Sequence, residues 1–216
     1  MSSLKKLPMR LEIINTFKPL IYKNQQVIDD QCPLRFWCQD ESRLGLNTIT
    51  RRLLTLPGVK PIGPIQWQFK AFYLYGVVEP LTGGSFFLEF SHLDSECFQV
   101  FLDQFSQTYT DSLHVLQLDN GSFHLAHNLR IPGNVTLLLQ PPYSPDVNPI
   151  ERVWQHIKDQ LSWLNFKTLD ELRQRVNEIL HSLTPERVAS LTSYDFILSA
   201  LEQLHHTNYN RKVQNL

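Results

Sequence analysis

Apolar residues along this chain alternate between two spacings. Leu34–Asp40 (LRFWCQD), Phe69–Val78 (FKAFYLYGVV), Ser85–Phe90 (SFFLEF), Leu113–Asp119 (LHVLQLD) and Val135–Gln140 (VTLLLQ) are short runs rich in aromatic and β-branched residues, and they predict strands. The turn-rich Pro80–Gly84 joins the second and third of them into a hairpin. Within Asp94–Tyr109, Cys97, Phe98, Phe101, Leu102 and Phe105 fall at helical spacing. Ile150–Leu164 places Ile150, Val153, Trp154, Ile157 and Leu161 on one stripe of a second helix. Thr168-Leu-Asp-Glu171 reads as a capping box opening a third, with Leu172, Val176, Ile179 and Leu180 inward, and Thr184-Pro185 opens a fourth. Residues 1–33 read as an irregular lead-in with a short helix around Leu11–Leu20, and LPGVKPIGP is too rich in proline and glycine to continue a helix or a central strand. Three strands, a helix, two strands and then helices make a mixed α/β chain, a sheet with an antiparallel hairpin and helices on its faces.

At 216 residues the chain is long enough for one large domain, and no apolar run approaches the ~18 residues of a membrane span. The lysines near the start are not followed by the apolar stretch of a signal peptide. Cys32, Cys38 and Cys97 are an odd set without metal-ligand spacing, which suits a reducing cytoplasm, with Cys38 and Cys97 expected in the core. Charge is balanced overall but not locally. Ser42–Val78 carries Arg43, Arg51, Arg52, Lys60 and Lys70 and no acid, whereas Glu79–Leu129 carries seven acids and no Lys or Arg. Two solvated faces would account for this; so would a local strip for phosphate contacts on a neutral protein.

Three acids are expected at element ends: Asp40 closing the first strand, Asp119 closing LHVLQLD, and Glu151 in the first turn of the helix after Pro149. Carboxylates converging at one edge of a sheet would repel one another unless a hard cation such as Mg²⁺ or Mn²⁺ were held between them. Each acid also has a structural reading. Asp119-Asn120-Gly121 is an ordinary turn sequence, and Asn148-Pro149-Ile150-Glu151 satisfies a capping box.

The segment Leu139-Gln-Pro-Pro-Tyr-Ser-Pro-Asp-Val-Asn-Pro-Ile-Glu-Arg-Val-Trp154 resembles the signature of mariner-like DDE transposases, closest to their bacterial insertion-sequence branch. Asp40-Glu41-Ser42 and Leu118-Asp119-Asn120-Gly-Ser-Phe-His124 match further motifs in the right order, as do GVKPIGP and Phe86–Phe105, so the likeness covers roughly residues 34–165. It implies an RNase H-like mixed sheet with flanking helices. A catalytic domain at 34–165 would follow the 1–33 lead-in and precede a C-terminal helical extension at 166–216. It also implies that Asp40 (rather than Glu41), Asp119 and Glu151 hold two divalent ions, Mg²⁺ or Mn²⁺, for DNA strand cleavage and strand transfer. Asn120, His124 and Asn148 are then expected to support the site, His124 by hydrogen bonding, while Trp154 is expected in the core.

Arg43, Arg51, Arg52, Lys60 and Lys70 are expected to carry non-specific affinity for double-stranded DNA, both transposon ends and target. A homodimer on DNA and a cytoplasmic, nucleoid-associated protein follow from the same likeness. One departure stands out: only 39 residues precede Asp40, too few for the helix-turn-helix modules of complete members. The expectation is therefore the catalytic half of a split or frameshifted transposase, partnered by a separately encoded helix-turn-helix half, or a truncated and inactive remnant kept for DNA binding or assembly.

Overall fold

The long strand β1 (Leu34–Gly45) is the axis on which the molecule is built. In the computed structural model, which describes residues 8–9, 11–13, 15, 33–51, 56–58, 62–124, 126, 128–142 and 144–203, five strands form one sheet. They are β1, β2 (Ala71–Val78), β3 (Ser85–Phe90), β4 (Leu113–Leu118) and β5 (Val135–Leu139), ordered β3-β2-β1-β4-β5. β1, β2 and β3 pair antiparallel; β1 with β4 and β4 with β5 pair parallel. The expected hairpin is β2–β3, closed by Gly83 at φ 77°, a left-handed backbone that glycine adopts without cost. Helix α1 (Ser95–Thr108) carries the chain from β3 to β4, so that β4 can lie parallel to β1. Then follow α2 (Ile150–Gln160), α3 (Leu169–Ser182), α4 (Pro185–Thr192) and helical residues 195–203.

Side chains alternate across β1, so each face of the sheet has its own core. Phe36, Cys38 and Leu44 pack with Val153, Trp154 and Ile157 of α2 and with Leu172, Val176, Val188 and Ile197 of the later helices. Trp37 packs on the other face with Phe98, Phe101, Leu102 and Phe105 of α1. The expected α1 stripe is buried as its spacing required, and Asp94 caps the helix by accepting from the Cys97 N–H. Cys38 is fully buried and Cys97 partly so; Cys32, Arg52 and Lys60 lie outside the described residues, as does most of the N-terminal lead-in. Residues 8–9, 11–13 and 15 are helical, and Met9 and Ile13 reach the α2-side core. No helix among the described residues is long and apolar enough to cross a membrane.

Two expectations are corrected here. Asp40 does not close the first strand: β1 runs five residues further because β2 pairs with it from Cys38 through Gly45, which places Asp40 opposite Gly76. The helix after Pro149 ends at Gln160 rather than Leu164. Residues 161–163 turn instead, with Trp163 at φ 62° donating its N–H to Ile49 O at 2.9 Å.

Candidate active site

The first acid is set by strand pairing. β4 accompanies β1 in parallel as far as Gln117 beside Cys38, and then ends. Asp40 therefore lies on the stretch of β1 that β4 leaves uncovered, on the face turned to α2, and Asp119 follows immediately after the end of β4. Strand ends of this kind are where mixed sheets open crevices.

The third acid is brought in by the loop between β5 and α2, which buried amides hold against the sheet. Asn148 Nδ2 donates to Gln39 O at 2.9 Å, Gln117 Nε2 donates to Val147 O at 3.0 Å, and Asn120 Nδ2 donates to Gln140 O at 2.8 Å. Asn148 is thus a tether to β1. Its side chain does not cap α2, and its own N–H goes to Pro145 O. The capping-box reading of Glu151 fails on both halves, which leaves its carboxylate without a structural duty at the helix start.

Trp154, one turn after Glu151, completes the join. Its ring is buried at 2% exposure and its Nε1 donates to Asp40 Oδ2 at 2.9 Å. There is room for the ring because residue 76 is glycine: a Cβ there would stand 2.5 Å from Trp154 Cη2 and 2.8 Å from Phe87. The apolar stripe places Trp154 in the core, as expected, but does not reveal this polar contact with Asp40.

Asp40 is pushed up to about 8, first by burial and then by the negative charges of Glu41 and Glu151, against donation from the Glu41 backbone and Trp154. Glu151 is also raised, by desolvation of its carboxyl at a cavity wall, while Lys158 pulls it down. Asp119 is lowered, chiefly by the hydrogen bond from His124. That histidine lies on the opposite side of the sheet, its ring 4.5 Å from Phe98, and bridges two acids: Nδ1 to Asp119 Oδ1 at 2.9 Å and Nε2 to Glu41 Oε1 at 3.1 Å. Burial alone would lower its pKa; the bonds to Asp119 and Glu41 outweigh that and hold it at about 9, so the ring is an imidazolium donating both protons. Asp119 Oδ1 also accepts from the Gly121 N–H at 2.8 Å, so the turn reading of Asp119-Asn120-Gly121 describes a real contact.

Asp40 therefore feels the charge of Glu151, whereas Asp119 is turned toward His124. Among the described residues no three His, Cys, Asp or Glu side chains are gathered closely enough to hold a metal ion. The donor set still fits a hard divalent cation. All three are carboxylates, and Asp40 is raised first by its burial and then by the negative charges of Glu41 and Glu151, charge that a bound cation would offset. Glu41, set aside at the level of sequence, proves to be a partner of His124 and of Gln39, whose Nε2 donates to it at 2.6 Å. The next-but-one spacing of Gln39 and Glu41 along β1 was the available signal for that shared face.

Of the basic strip, Arg43, Arg51 and Lys70 are described. Arg51 lines the cavity that contains Glu151 and bonds Asp159 at 2.8 Å. Arg43 donates to Phe69 O at 3.1 Å, and Lys70 lies exposed at the far end of β1, where Gly45 meets Ala71. The acid run is not one surface: Glu79 forms a pair with Arg35 at 2.6 Å, Asp94 caps α1 and Glu89 pairs with Arg173 at 2.6 Å.

Comparison with known proteins places this arrangement. The solved Mos1 transposase paired-end complex with left transposon end is 14% identical with a TM-score of 0.59, covering 88% of this chain and 61% of that one. The Mos1 mariner paired end complex with Mn is 14% identical with a TM-score of 0.60, covering 89% and 62%. This likeness is one of fold, an RNase H-like mixed sheet with flanking helices, and the chain spans about three fifths of those structures' length. An uncharacterized protein, y4pE/y4sA of Sinorhizobium fredii (strain NBRC 101917 / NGR234), is 36% identical over 104 residues, which are 46% of this chain and 76% of that protein. The family model described as DDE superfamily endonuclease matches residues 35–173, a span that takes in Asp40, Asp119 and Glu151 and well over half of the chain, and the protein accordingly belongs to the DDE superfamily endonuclease family.

Proposed function

We propose that this chain is the catalytic domain of a transposase, cleaving and joining DNA strands at a divalent-metal site formed by Asp40, Asp119 and Glu151. The observation that carries this reading is the Trp154–Asp40 hydrogen bond. It couples the helix bearing Glu151 to the strand bearing Asp40, where a buried carboxyl feels the charge of Glu151. Divalent cations, Mg²⁺ or Mn²⁺ and two per site, would activate the attacking oxygen and stabilise the leaving oxygen of an in-line phosphoryl displacement.

The protein's own residues have distinct parts in this reading. Asp40 and Glu151 provide ligand oxygens from rigid elements, and Asp119 provides the third from the end of β4. His124 orients the Asp119 carboxylate through Oδ1 and leaves Oδ2 for a metal. Asn148 and Asn120 fix the loop that aims Glu151. The substrates are double-stranded DNA, transposon ends and target, and the protein works on them in the cytoplasm at the nucleoid. Ile62, Ile65, Trp67 and Phe69, all exposed, offer apolar surface to a second copy in a homodimer on DNA. A separately encoded helix-turn-helix half would supply recognition of the ends.

The test is DNA nicking by the purified chain with Mg²⁺ or Mn²⁺ and with EDTA. Metal-dependent nicking is expected, and Glu151→Gln should abolish it while thermal stability stays within ~1 kcal/mol of the parent, because no cap is lost. Nicking that survives Glu151→Gln would remove Glu151 from the site.

A further inference from the structure

Glu151 also lines a cavity of about 1020 Å³. Its walls are Arg51, α2 through Glu151, Arg152 and Lys158, and the chain just after α4 through Tyr194 and Phe196. Residues 193–196 lie beyond the 35–173 span of the family match, so the family assignment gives them no role. We propose that this cavity binds an unpaired nucleotide of a DNA strand running past Glu151, with its base against Tyr194 and Phe196 and its phosphates on Arg152 and Lys158. The proposal rests on the DNA-cutting reading above.

Four observations converge on that chemistry. The volume is at the upper end of the roughly 300–1,000 Å³ of sites that enclose small organic ligands. The two aromatic rings are 5.9 Å apart at 54° and are half-buried against the core, so they are already in place to stack on a base. Arg152 Nε donates to the Tyr194 hydroxyl at 3.4 Å, which sets a guanidinium beside the ring. Lys158, two helical turns along from Glu151, lines the same cavity. A base inside a duplex has both faces stacked on its neighbours, and only an unpaired one can offer a face to an aromatic side chain.

Charge adds a condition. Asp146, Glu151 and Asp195 line the cavity alongside Arg51, Arg152 and Lys158, so acids and cations balance. A divalent cation held by Glu151 would tip the balance toward positive and favour phosphate. Arg51 can contribute as well, since its pair with Asp159 is half-exposed on both sides, and such surface pairs exchange partners at little cost.

The experiment is fluorescence anisotropy of the full chain in Ca²⁺ with a blunt DNA duplex and with the same duplex carrying a short unpaired tail. The tailed duplex is expected to bind about tenfold tighter, the size of one base–aromatic stack. Tyr194→Ala should erase that difference and leave blunt-duplex binding unchanged, whereas Tyr194→Phe should keep it. A photoreactive 4-thiothymidine in the tail should crosslink to the peptide containing Tyr194 and Phe196. This measurement on the parent chain decides the matter if Tyr194→Ala does not fold. Equal binding of the two duplexes, a preference that survives Tyr194→Ala, or a crosslink elsewhere would overturn the proposal. If the blunt duplex is bound and nicked but the tail adds nothing, only this inference fails. If the blunt duplex is neither bound nor nicked, the DNA-cutting reading fails and takes this one with it.

Discussion

Trp154 and Asp40, 114 residues apart, are joined by an indole N–H donated to a carboxylate oxygen at 2.9 Å. That bond ties the helix that carries Glu151 to the strand that carries Asp40. The indole donor also works against the burial and like charge that raise Asp40.

Replacing the indole should loosen the site without emptying the core. Trp154→Phe keeps a ring against Phe87 but removes the only side-chain donor that Asp40 has among the described residues. Mn²⁺ affinity is expected to fall by about tenfold, at the lower end for loss of an outer-shell partner. Isothermal titration with Mn²⁺ measures it, and unchanged affinity would reduce Trp154 to packing.

Gly76 should not tolerate a methyl group. In Gly76→Ala the added Cβ would meet Trp154 Cη2 at 2.5 Å and Phe87 at 2.8 Å, deep in the sheet. A loss of about 1–3 kcal/mol is expected in urea unfolding, the usual cost of overpacking, together with weaker Mn²⁺ binding as Trp154 is displaced from Asp40. Full stability would mean that the ring has room to move.

Stability of the metal-free protein should fall as pH rises through the neutral range. Asp40 holds its proton up to about 8 in the fold against an ordinary 3.8, and His124 holds its own to about 9 against 6.5. Both pKa values are raised, so the native state binds more protons than the unfolded chain. The Asp40 contribution is complete below 3.8 and lost by about 8, and that of His124 is complete below 6.5 and lost as pH passes about 9. Thermal melts in EDTA should therefore drop progressively from about pH 4 to pH 9, most steeply between 6.5 and 8, where both groups lose their protons. Asp40→Asn should flatten the lower part of that profile and His124→Gln the upper part. Asp119, lowered by His124, adds the opposite trend only in acid, where its stabilisation fades as pH falls through its lowered pKa. A flat profile would contradict both assignments.

DNA affinity should depend on Arg51 more than on Lys70. Arg51 shares a cavity with Glu151, whereas Lys70 flanks the far end of β1. Arg51→Ala is expected to make the slope of log K against log salt shallower by about 0.9, one phosphate contact, for any DNA sequence. Lys70→Ala should leave the slope as it was. Equal effects would restore the picture of one continuous cationic strip.

The succession of strands and helices along the chain, the β2–β3 hairpin and the buried stripes of α1, α2 and α3 were legible in the amino-acid sequence. They follow from periodicity and turn chemistry within a few residues, and the helix starts at Asp94, Thr168 and Thr184 are equally local. The three acid motifs were legible too, as residue types in a characteristic order. Which side chains meet was decided only by tertiary structure. Asn148 and Glu151 read as a capping box, yet Asn148 is drawn to Gln39 across 109 positions because the loop must close onto β1. His124 was expected near the site, but its choice of both Asp119 and Glu41, the latter 83 positions away, depends on which face of β1 each residue occupies and on where β4 stops. Among the described basic residues, Arg51 lines the cavity of Glu151 while Arg43 bonds Phe69 O beside Lys70, a grouping set by the pairing of β1 with β2 rather than by order along the chain. Local patterns encode how each segment folds; bonds between distant segments leave no periodic trace, and they arise only when parallel pairing, burial and uncompensated charge act in three dimensions together.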